Sequence, residues 1–145
     1  MLSVCLPPNE KKKNKYYTFH NPQKVKINKA LGQNFLFDLN LTDKIVKQSK
    51  PIASTIIEIG SGPGSLTRSI LKNKSAIVYA IDKDIQSEKM LSELKMIYKD
   101  KLKIIIGDAL NYPIWNLGEA PRQVIANLPY NVGTKMLITW LKYIQ

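Results

Sequence analysis

T-I-I-E-I-G-S-G-P-G, residues 55–64, is the stretch that decides the fold of this 145-residue chain. Five residues rich in β-branched side chains run directly into three glycines and a proline. This composition is typical of a buried strand that stops at a sharp turn. Helical spacing then resumes over Ser65–Leu71, with Leu66, Ile70 and Leu71 on one face. The stretch therefore predicts a strand, a glycine loop and a helix in direct succession.

The same alternation continues on both sides of this unit. Three further apolar runs read as strands: Ala76–Ile81, Leu102–Ile106 and the shorter Gln123–Ala126. Helical spacing of apolar residues occurs in three further segments: Leu41, Ile45 and Val46 before Pro51; Met90, Leu91, Leu94 and Ile97; and Met136, Leu137, Trp140, Leu141 and Ile144, up to the last residue. Continuously apolar strands that alternate with helices indicate a parallel sheet covered on both faces. We predict a doubly wound α/β domain.

Composition excludes several classes of protein. Hydrophobic residues make up 44% and charged residues 23% of the chain, as in ordinary globular domains. No run approaches the roughly 18 apolar residues of a membrane span, so we expect no membrane association. Cys5 is the only cysteine and His20 the only histidine. An intrachain disulfide, a cysteine zinc cluster and a multi-histidine metal centre are therefore excluded, and we expect no metal.

Positive charge is concentrated at the start of the chain. The sequence has 22 Lys and Arg against 11 Asp and Glu, a net charge of +11. Residues 1–29 hold seven lysines and a single acid, and three prolines interrupt them without hydrophobic periodicity. We predict a flexible basic arm over 1–29, followed by a domain over 30–145. The arm suits the backbone of a nucleic acid; a solubility tail and an organelle transit peptide are the alternatives.

Acidic residues follow the second and third predicted strands, as the glycine loop follows the first. Ligands of doubly wound sheets bind at the carboxyl ends of the strands. Glycines such as Gly60 let the backbone turn sharply and approach a ligand closely. Asp82, 22 residues after Gly60, can accept both hydroxyls of a ribose, and Asp108 can accept the amino group of adenine. This order predicts an adenosine-bearing cofactor, while the glycine spacing differs from the G-x-G-x-x-G of dinucleotide-binding proteins.

The fourth predicted strand ends in Asn127-Leu128-Pro129-Tyr130. An exocyclic amine of a base is a poor nucleophile, because its lone pair is delocalised into the ring. The side-chain oxygen of Asn127 and the carbonyl of Leu128, next to a rigid proline, can accept its two N–H groups and favour a tetrahedral nitrogen. Tyr130 can stack on an extruded base. The alternative is an ordinary turn after a strand.

These residues together resemble the ribosomal RNA adenine dimethyltransferase family. The resemblance rests on Leu31–Leu36 (LGQNFL), Glu58–Gly64, Asp82, Gly107-Asp108-Ala109 and Asn127–Asn131 (NLPYN), and it runs from about Lys29 to the end of the chain. It implies a Rossmann-like S-adenosylmethionine methyltransferase fold. It also implies that Asn34 and Leu36 close over the methionine end of the cofactor, that Gly60 lines the loop, and that Asn127 lies between cofactor and target base.

By resemblance, the function is transfer of methyl groups from S-adenosylmethionine to N6 of two adjacent adenosines near the 3′ end of small-subunit (16S-type) rRNA. The implied partner is a pre-30S-type ribosomal subunit, and the implied location is the cytoplasm. The similar methyltransferases of large-subunit rRNA are one alternative, although Gly32 and Leu128 favour the small-subunit branch. An RNA-binding or transcription-factor-like relative without methyl transfer is another.

Two departures from the family pattern stand out. Asp82 replaces the glutamate that many relatives carry, and its side chain reaches about one bond less far. The family fold resembles a seven-stranded sheet followed by a small helical domain, whereas four strands are predicted here. We therefore expect a truncated fold with an uncovered sheet edge. Such a chain would self-associate and transfer little methyl by itself.

Overall fold

The computed structural model describes residues 38–49, 53–73 and 76–142. Four helices and four strands alternate along the chain in these ranges: α1 (Leu39–Gln48), β1 (Thr55–Ile59), α2 (Ser65–Asn73), β2 (Ile77–Asp82), α3 (Gln86–Tyr98), β3 (Leu102–Ile106), β4 (Arg122–Ala126) and α4 (Tyr130–Leu141). Short 3₁₀ turns precede β3 and β4, at Lys99–Lys101 and Ile114–Asn116. The predicted basic arm and the predicted domain boundary at residue 30 lie outside the described residues.

The strands form one parallel sheet in the order β3-β2-β1-β4. β1 lies inside the sheet, and its isoleucines are buried as predicted, together with Thr55 and Glu58. Its alternate side chains point to opposite faces, so that Ile56 belongs to one apolar core and Ile57 to the other. Buried residues of α1, α2 and α3 share the core of Ile56, while Met136 and Trp140 of α4 share that of Ile57. The predicted doubly wound parallel sheet is confirmed.

The first two helices are joined by polar as well as apolar contacts. Asp38 caps α1, where its side chain accepts from the backbone N–H of Asn40 at 2.9 Å. The hydroxyls of Thr42 and Ser69 lie 2.8 Å apart in the buried interface between α1 and α2. This pair satisfies two polar groups that would otherwise be buried without a partner. The α1–α2 pair thus packs as one unit against the sheet.

The boundaries of several elements differ from the prediction by one or two residues. β2 starts at Ile77 and includes Asp82, and β4 starts at Arg122. α2 continues to Asn73, two residues beyond the last apolar position of its predicted face. Hydrogen bonds rather than side-chain polarity define these ends, which explains why apolar runs place them imperfectly.

The prediction for the inner face of α3 is wrong at one residue. Leu91 and Leu94 are buried, but Ile97 is 67% exposed. Ser87 is buried one turn before Leu91, and Tyr98 is the residue that packs against the core at the far end. α3 is therefore rotated so that a small polar residue, not a fourth aliphatic one, completes the face toward the sheet. In α4, likewise, Met136 and Trp140 are buried whereas Leu141 is 56% exposed.

Candidate active site

The glycine loop after β1 has a backbone that only glycine adopts easily. Gly60, Gly62 and Gly64 have φ angles of +73°, +49° and +84°. The loop closes through a hydrogen bond of 2.9 Å from the Gly64 N–H to the Ser61 carbonyl. A Cβ atom on Gly64 would lie 2.5 Å from Leu91 Cδ2. This glycine therefore lets α3 approach the loop closely.

Asp82, the last residue of β2, supports the glycine loop. Its Oδ2 accepts from the Gly62 N–H at 2.7 Å, and its Oδ1 accepts from the Asp84 N–H at 2.9 Å. Each carboxylate oxygen has about two acceptor positions, so both retain capacity for further donors. Asp82 is half-buried and lies at the carboxyl end of the sheet beside Gly60, whose N–H donates to the Ile81 carbonyl at 2.8 Å. The side chain can accept hydroxyl groups while it holds the loop.

Asp108 occupies the equivalent place after β3. Its Oδ1 accepts from the Leu110 N–H at 2.9 Å, and its Oδ2 lies 2.8 Å from Lys83 Nζ. Burial raises the pKa of Asp108. The hydrogen bonds from Lys83 and Leu110, together with the charges of Lys83 and Lys135, lower this pKa by more than burial raises it, so that it lies below its usual value. Asp108 is therefore an ionised acceptor at neutral pH.

Glu58 lies beneath the loop in β1 and is only 1% exposed. Burial raises its pKa, and the Asp82 carboxylate raises it further against the opposing effect of Thr67, to about 8. Within the described part of the chain, Glu58 Oε2 and the hydroxyl oxygen of Ser61 are buried without a hydrogen-bond partner. Glu58 is thus a neutral acid at pH 7, next to the loop and to Asp82.

The Asn127-Leu128-Pro129 segment joins β4 to α4 on the other side of the loop. Ala126 pairs with Ile59 in the sheet, and a Cβ atom on Gly60 would lie 3.9 Å from the Asn127 carbonyl oxygen. Pro129, with φ −58° and ψ 143°, precedes the first turn of α4 and accepts from the Gly133 N–H at 2.9 Å. The rigid proline therefore fixes how the chain turns from strand to helix beside Gly60.

The structure brings most of the predicted site residues to one edge of the sheet. Gly60, Asp82, Asp108, Asn127 and Leu128 all follow or end strands at the carboxyl edge, and Tyr130 is the first residue of α4. Asn34 and Leu36 lie outside the described residues. The sequence analysis assigned no role to two neighbours of these residues. One is Lys83 beside Asp108; the other is Glu58, which was named only as part of the loop motif and is a neutral acid in the fold. A lysine directly after Asp82 was a visible signal for the first; burial of the second needed the structure.

Comparison with known proteins gives the family. The sequence profile described as "Ribosomal RNA adenine dimethylase" matches residues 24–145. The chain belongs to the ribosomal RNA adenine dimethylase family. The resemblance read from the sequence motifs is thereby confirmed.

Relatives in this family include two curated bacterial proteins, each called ribosomal RNA small subunit methyltransferase A. The protein from Rhodospirillum rubrum is 50% identical over 116 residues, which cover 79% of this chain and 40% of the relative. The protein from Bartonella bacilliformis is 48% identical over 126 residues, which cover 83% of this chain and 45% of the relative. The chain thus spans less than half the length of these relatives.

Solved structures share the fold at low sequence identity. The 23S rRNA methyltransferase ErmE is similar with a TM-score of 0.59 and 22% identity, over 74% of this chain and 42% of that one. A putative O-methyltransferase from Klebsiella pneumoniae is similar with a TM-score of 0.55 and 18% identity, over 78% of this chain and 53% of that one. The fold is therefore the Rossmann-like fold of methyltransferases.

Residues 38–49, 53–73 and 76–142 contain neither a membrane-spanning helix nor a cluster of metal ligands. No helix there has the length and apolar character needed to cross a membrane. No group of three or more His, Cys, Asp or Glu side chains is placed there to hold a metal ion.

Proposed function

We propose that this chain carries the cofactor site and the catalytic loop of an rRNA adenine N6,N6-dimethyltransferase that uses S-adenosylmethionine. The observation that carries the proposal is the juxtaposition of Gly60 and Asn127, on neighbouring strand ends, with Asp82 and Asp108 following along the same edge. This order places a glycine-rich loop, a hydroxyl acceptor, an amine acceptor and a strand-to-helix turn at one edge of the sheet. Family membership supports the same assignment.

The residues present suit the chemistry of this cofactor. The backbone of Gly60 leaves a space toward Asn127 that a side chain would fill. Asp82 suits the ribose hydroxyls and ionised Asp108 suits the adenine amino group. Glu58 Oε2 and the Ser61 hydroxyl oxygen have no partner within the described ranges, which is typical of a site whose polar partner is a ligand or water. We assign Asn34 and Leu36 to the methionine end by resemblance.

Asn127, Leu128 and Tyr130 are the proposed catalytic residues. When bound, S-adenosylmethionine supplies a methyl group activated by a sulfonium. Asn127, through its side-chain oxygen, and the Leu128 carbonyl would accept the N–H groups of the target amine, which localises the nitrogen lone pair. Tyr130 would stack on the base, a contact of about 1–3 kcal/mol. No general base is required before attack, since the methylated ammonium readily loses its proton.

The proposed substrate is small-subunit rRNA in a pre-30S-type particle, and the proposed location is the cytoplasm. The relatives named for small-subunit rRNA support this choice, as does the net charge of +11, because phosphate contacts dominate affinity for RNA. Self-association through the free edge of β4 is also proposed. β4 pairs with β1 on one side, and none of the described strands pairs with its other side.

Calorimetry with S-adenosylmethionine and NAD tests the cofactor. We expect the chain to bind the first and not the second. Methyl transfer to small-subunit rRNA is then measured with a C-terminal half of a relative supplied, with and without Asn127→Ala. The substitution should abolish transfer and leave cofactor binding largely intact. Tight binding of NAD, or full activity of the Asn127→Ala protein, would contradict the assignment.

A further inference from the structure

Lys83 connects the ends of β2 and β3 at the proposed nucleoside site. It directly follows Asp82, whose register partner in β3 is Ile106. The Gly107 N–H donates to the Asp82 carbonyl at 2.8 Å, which holds the two strand ends together beyond the sheet. From this position Lys83 Nζ lies 2.8 Å from Asp108 Oδ2. A lysine that follows one proposed ligand of the cofactor therefore contacts another.

We propose that Lys83 is a positioning residue that orients the Asp108 carboxylate to accept the amino group of adenine. This inference rests on the proposed function, since it concerns the same cofactor. Lys83 acts through Asp108 and determines how strongly the site distinguishes an adenine from a purine without the amino group.

Two donors from different segments hold the Asp108 carboxylate, one on each oxygen. The Leu110 N–H lies on Oδ1 at 2.9 Å and Lys83 Nζ on Oδ2 at 2.8 Å. With both contacts the plane of the carboxylate is defined, whereas one contact alone leaves rotation about the last side-chain bond. Each oxygen still has an unused acceptor position. Lys83 therefore orients the Asp108 carboxylate and leaves it free to accept a further hydrogen bond.

The same contact matters little for folding. The side chains of Lys83 and Asp108 are 52% and 31% exposed, and ion pairs this open to water contribute little to stability. The chain therefore has no strong structural need for a lysine at this position. Removal of the Lys83 charge should leave the fold intact, which makes its effect on binding measurable.

Calorimetry of three proteins with two ligands tests the proposal. The proteins are the wild type, Lys83→Met and Lys83→Arg, because Met removes the charge at similar length and Arg keeps it. The ligands are S-adenosylhomocysteine and its analogue in which purine replaces adenine, so that only the 6-amino group is missing. We expect Lys83→Met to bind S-adenosylhomocysteine about fivefold more weakly and the purine analogue within about twofold of wild type. Lys83→Arg should restore the wild-type difference in affinity between S-adenosylhomocysteine and the purine analogue.

Thermal unfolding of the same proteins provides the folding control, and we expect melting temperatures that agree with the wild type. An equal loss of affinity for both ligands in Lys83→Met would overturn the proposal, because orientation of Asp108 affects only the amino group. Unchanged or tighter binding of S-adenosylhomocysteine would overturn it as well. If the wild type binds neither ligand, the cofactor assignment itself fails, and the inference fails with it.

Discussion

Glu58 is the residue whose chemistry departs most from its ordinary behaviour. Its pKa of about 8 in the folded chain compares with 4.5 for a free glutamate. Between these values the folded state binds a proton that the unfolded state has lost, so stability falls as pH rises from about 4.5 to about 8. One pKa unit corresponds to about 1.4 kcal/mol, and the total is thus several kcal/mol.

Glu58→Gln should remove this pH dependence. The amide matches the shape of the neutral acid and does not ionise. In urea unfolding between pH 5 and pH 8, the free energy of unfolding of the wild type should decrease as pH rises, whereas that of the variant should stay nearly constant. Parallel curves for the two proteins would mean that Glu58 ionises normally, in contact with water or with a cation.

Asp82 has two roles at the residue scale, because it both accepts from the loop and is assigned to the ribose. Asp82→Ala should weaken binding of S-adenosylmethionine by about 1–3 kcal/mol, through the loss of charge-assisted hydrogen bonds. Asp100→Ala is the matched control, since this exposed carboxylate precedes β3 at the opposite end of the sheet. Calorimetry that gives equal affinities for wild type and Asp82→Ala would refute the assignment.

At the scale of elements, Gly64 determines how closely α3 packs on the loop. A methyl group there would lie 2.5 Å from Leu91 Cδ2 and 3.2 Å from Leu94 Cδ1, and the φ angle of +84° adds backbone strain. Gly64→Ala should therefore destabilise the chain by about 1–3 kcal/mol. Gly107→Ala is the control within the same edge of the sheet, because nothing lies within 4 Å of its added methyl group.

Chemical denaturation of both glycine variants gives the comparison. A large decrease in the free energy of unfolding for Gly64→Ala, with a small decrease for Gly107→Ala, would support the packing argument. Equal losses would indicate that the loop and α3 adapt to the extra methyl group.

The existence and type of every described α-helix and strand could be predicted from the sequence, but the two 3₁₀ turns and the rotation of each helix could not. Apolar spacing placed Ile97 on the inner face of α3, whereas in the structure Tyr98 packs against the core at that end of the helix and Ser87 is buried at the other end. Hydrophobic periodicity indicates where apolar residues lie along a helix. Which of these residues are buried depends on how the helix packs against the sheet and the glycine loop. Leu91 and Leu94 pack against Gly64, and in this orientation of α3 the side chain of Ile97 faces solvent.

At the scale of the whole molecule, charge distribution gives a test of RNA binding. Residues 1–29 contribute six of the eleven net positive charges. Deletion of these residues should lower affinity for small-subunit rRNA and make its dependence on salt concentration shallower, because fewer counterions are released on binding. Filter binding across a series of salt concentrations measures both quantities. Unchanged slopes would identify the segment as a solubility tail.

The amino-acid sequence by itself determined the alternation of strands and helices, the parallel sheet, and the positions of Gly60, Asp82, Asp108 and Asn127 at the ends of successive strands along the chain. These features follow from local apolar runs and from turn residues, which need no knowledge of distant contacts. The tertiary structure decided which side chains meet: Lys83 with Asp108, Asp82 with the Gly62 N–H, and Glu58 with a neighbouring carboxylate in a buried site. Hydrogen bonds and pKa values depend on distance and on exclusion of water, and both arise only when separate strand ends are brought side by side.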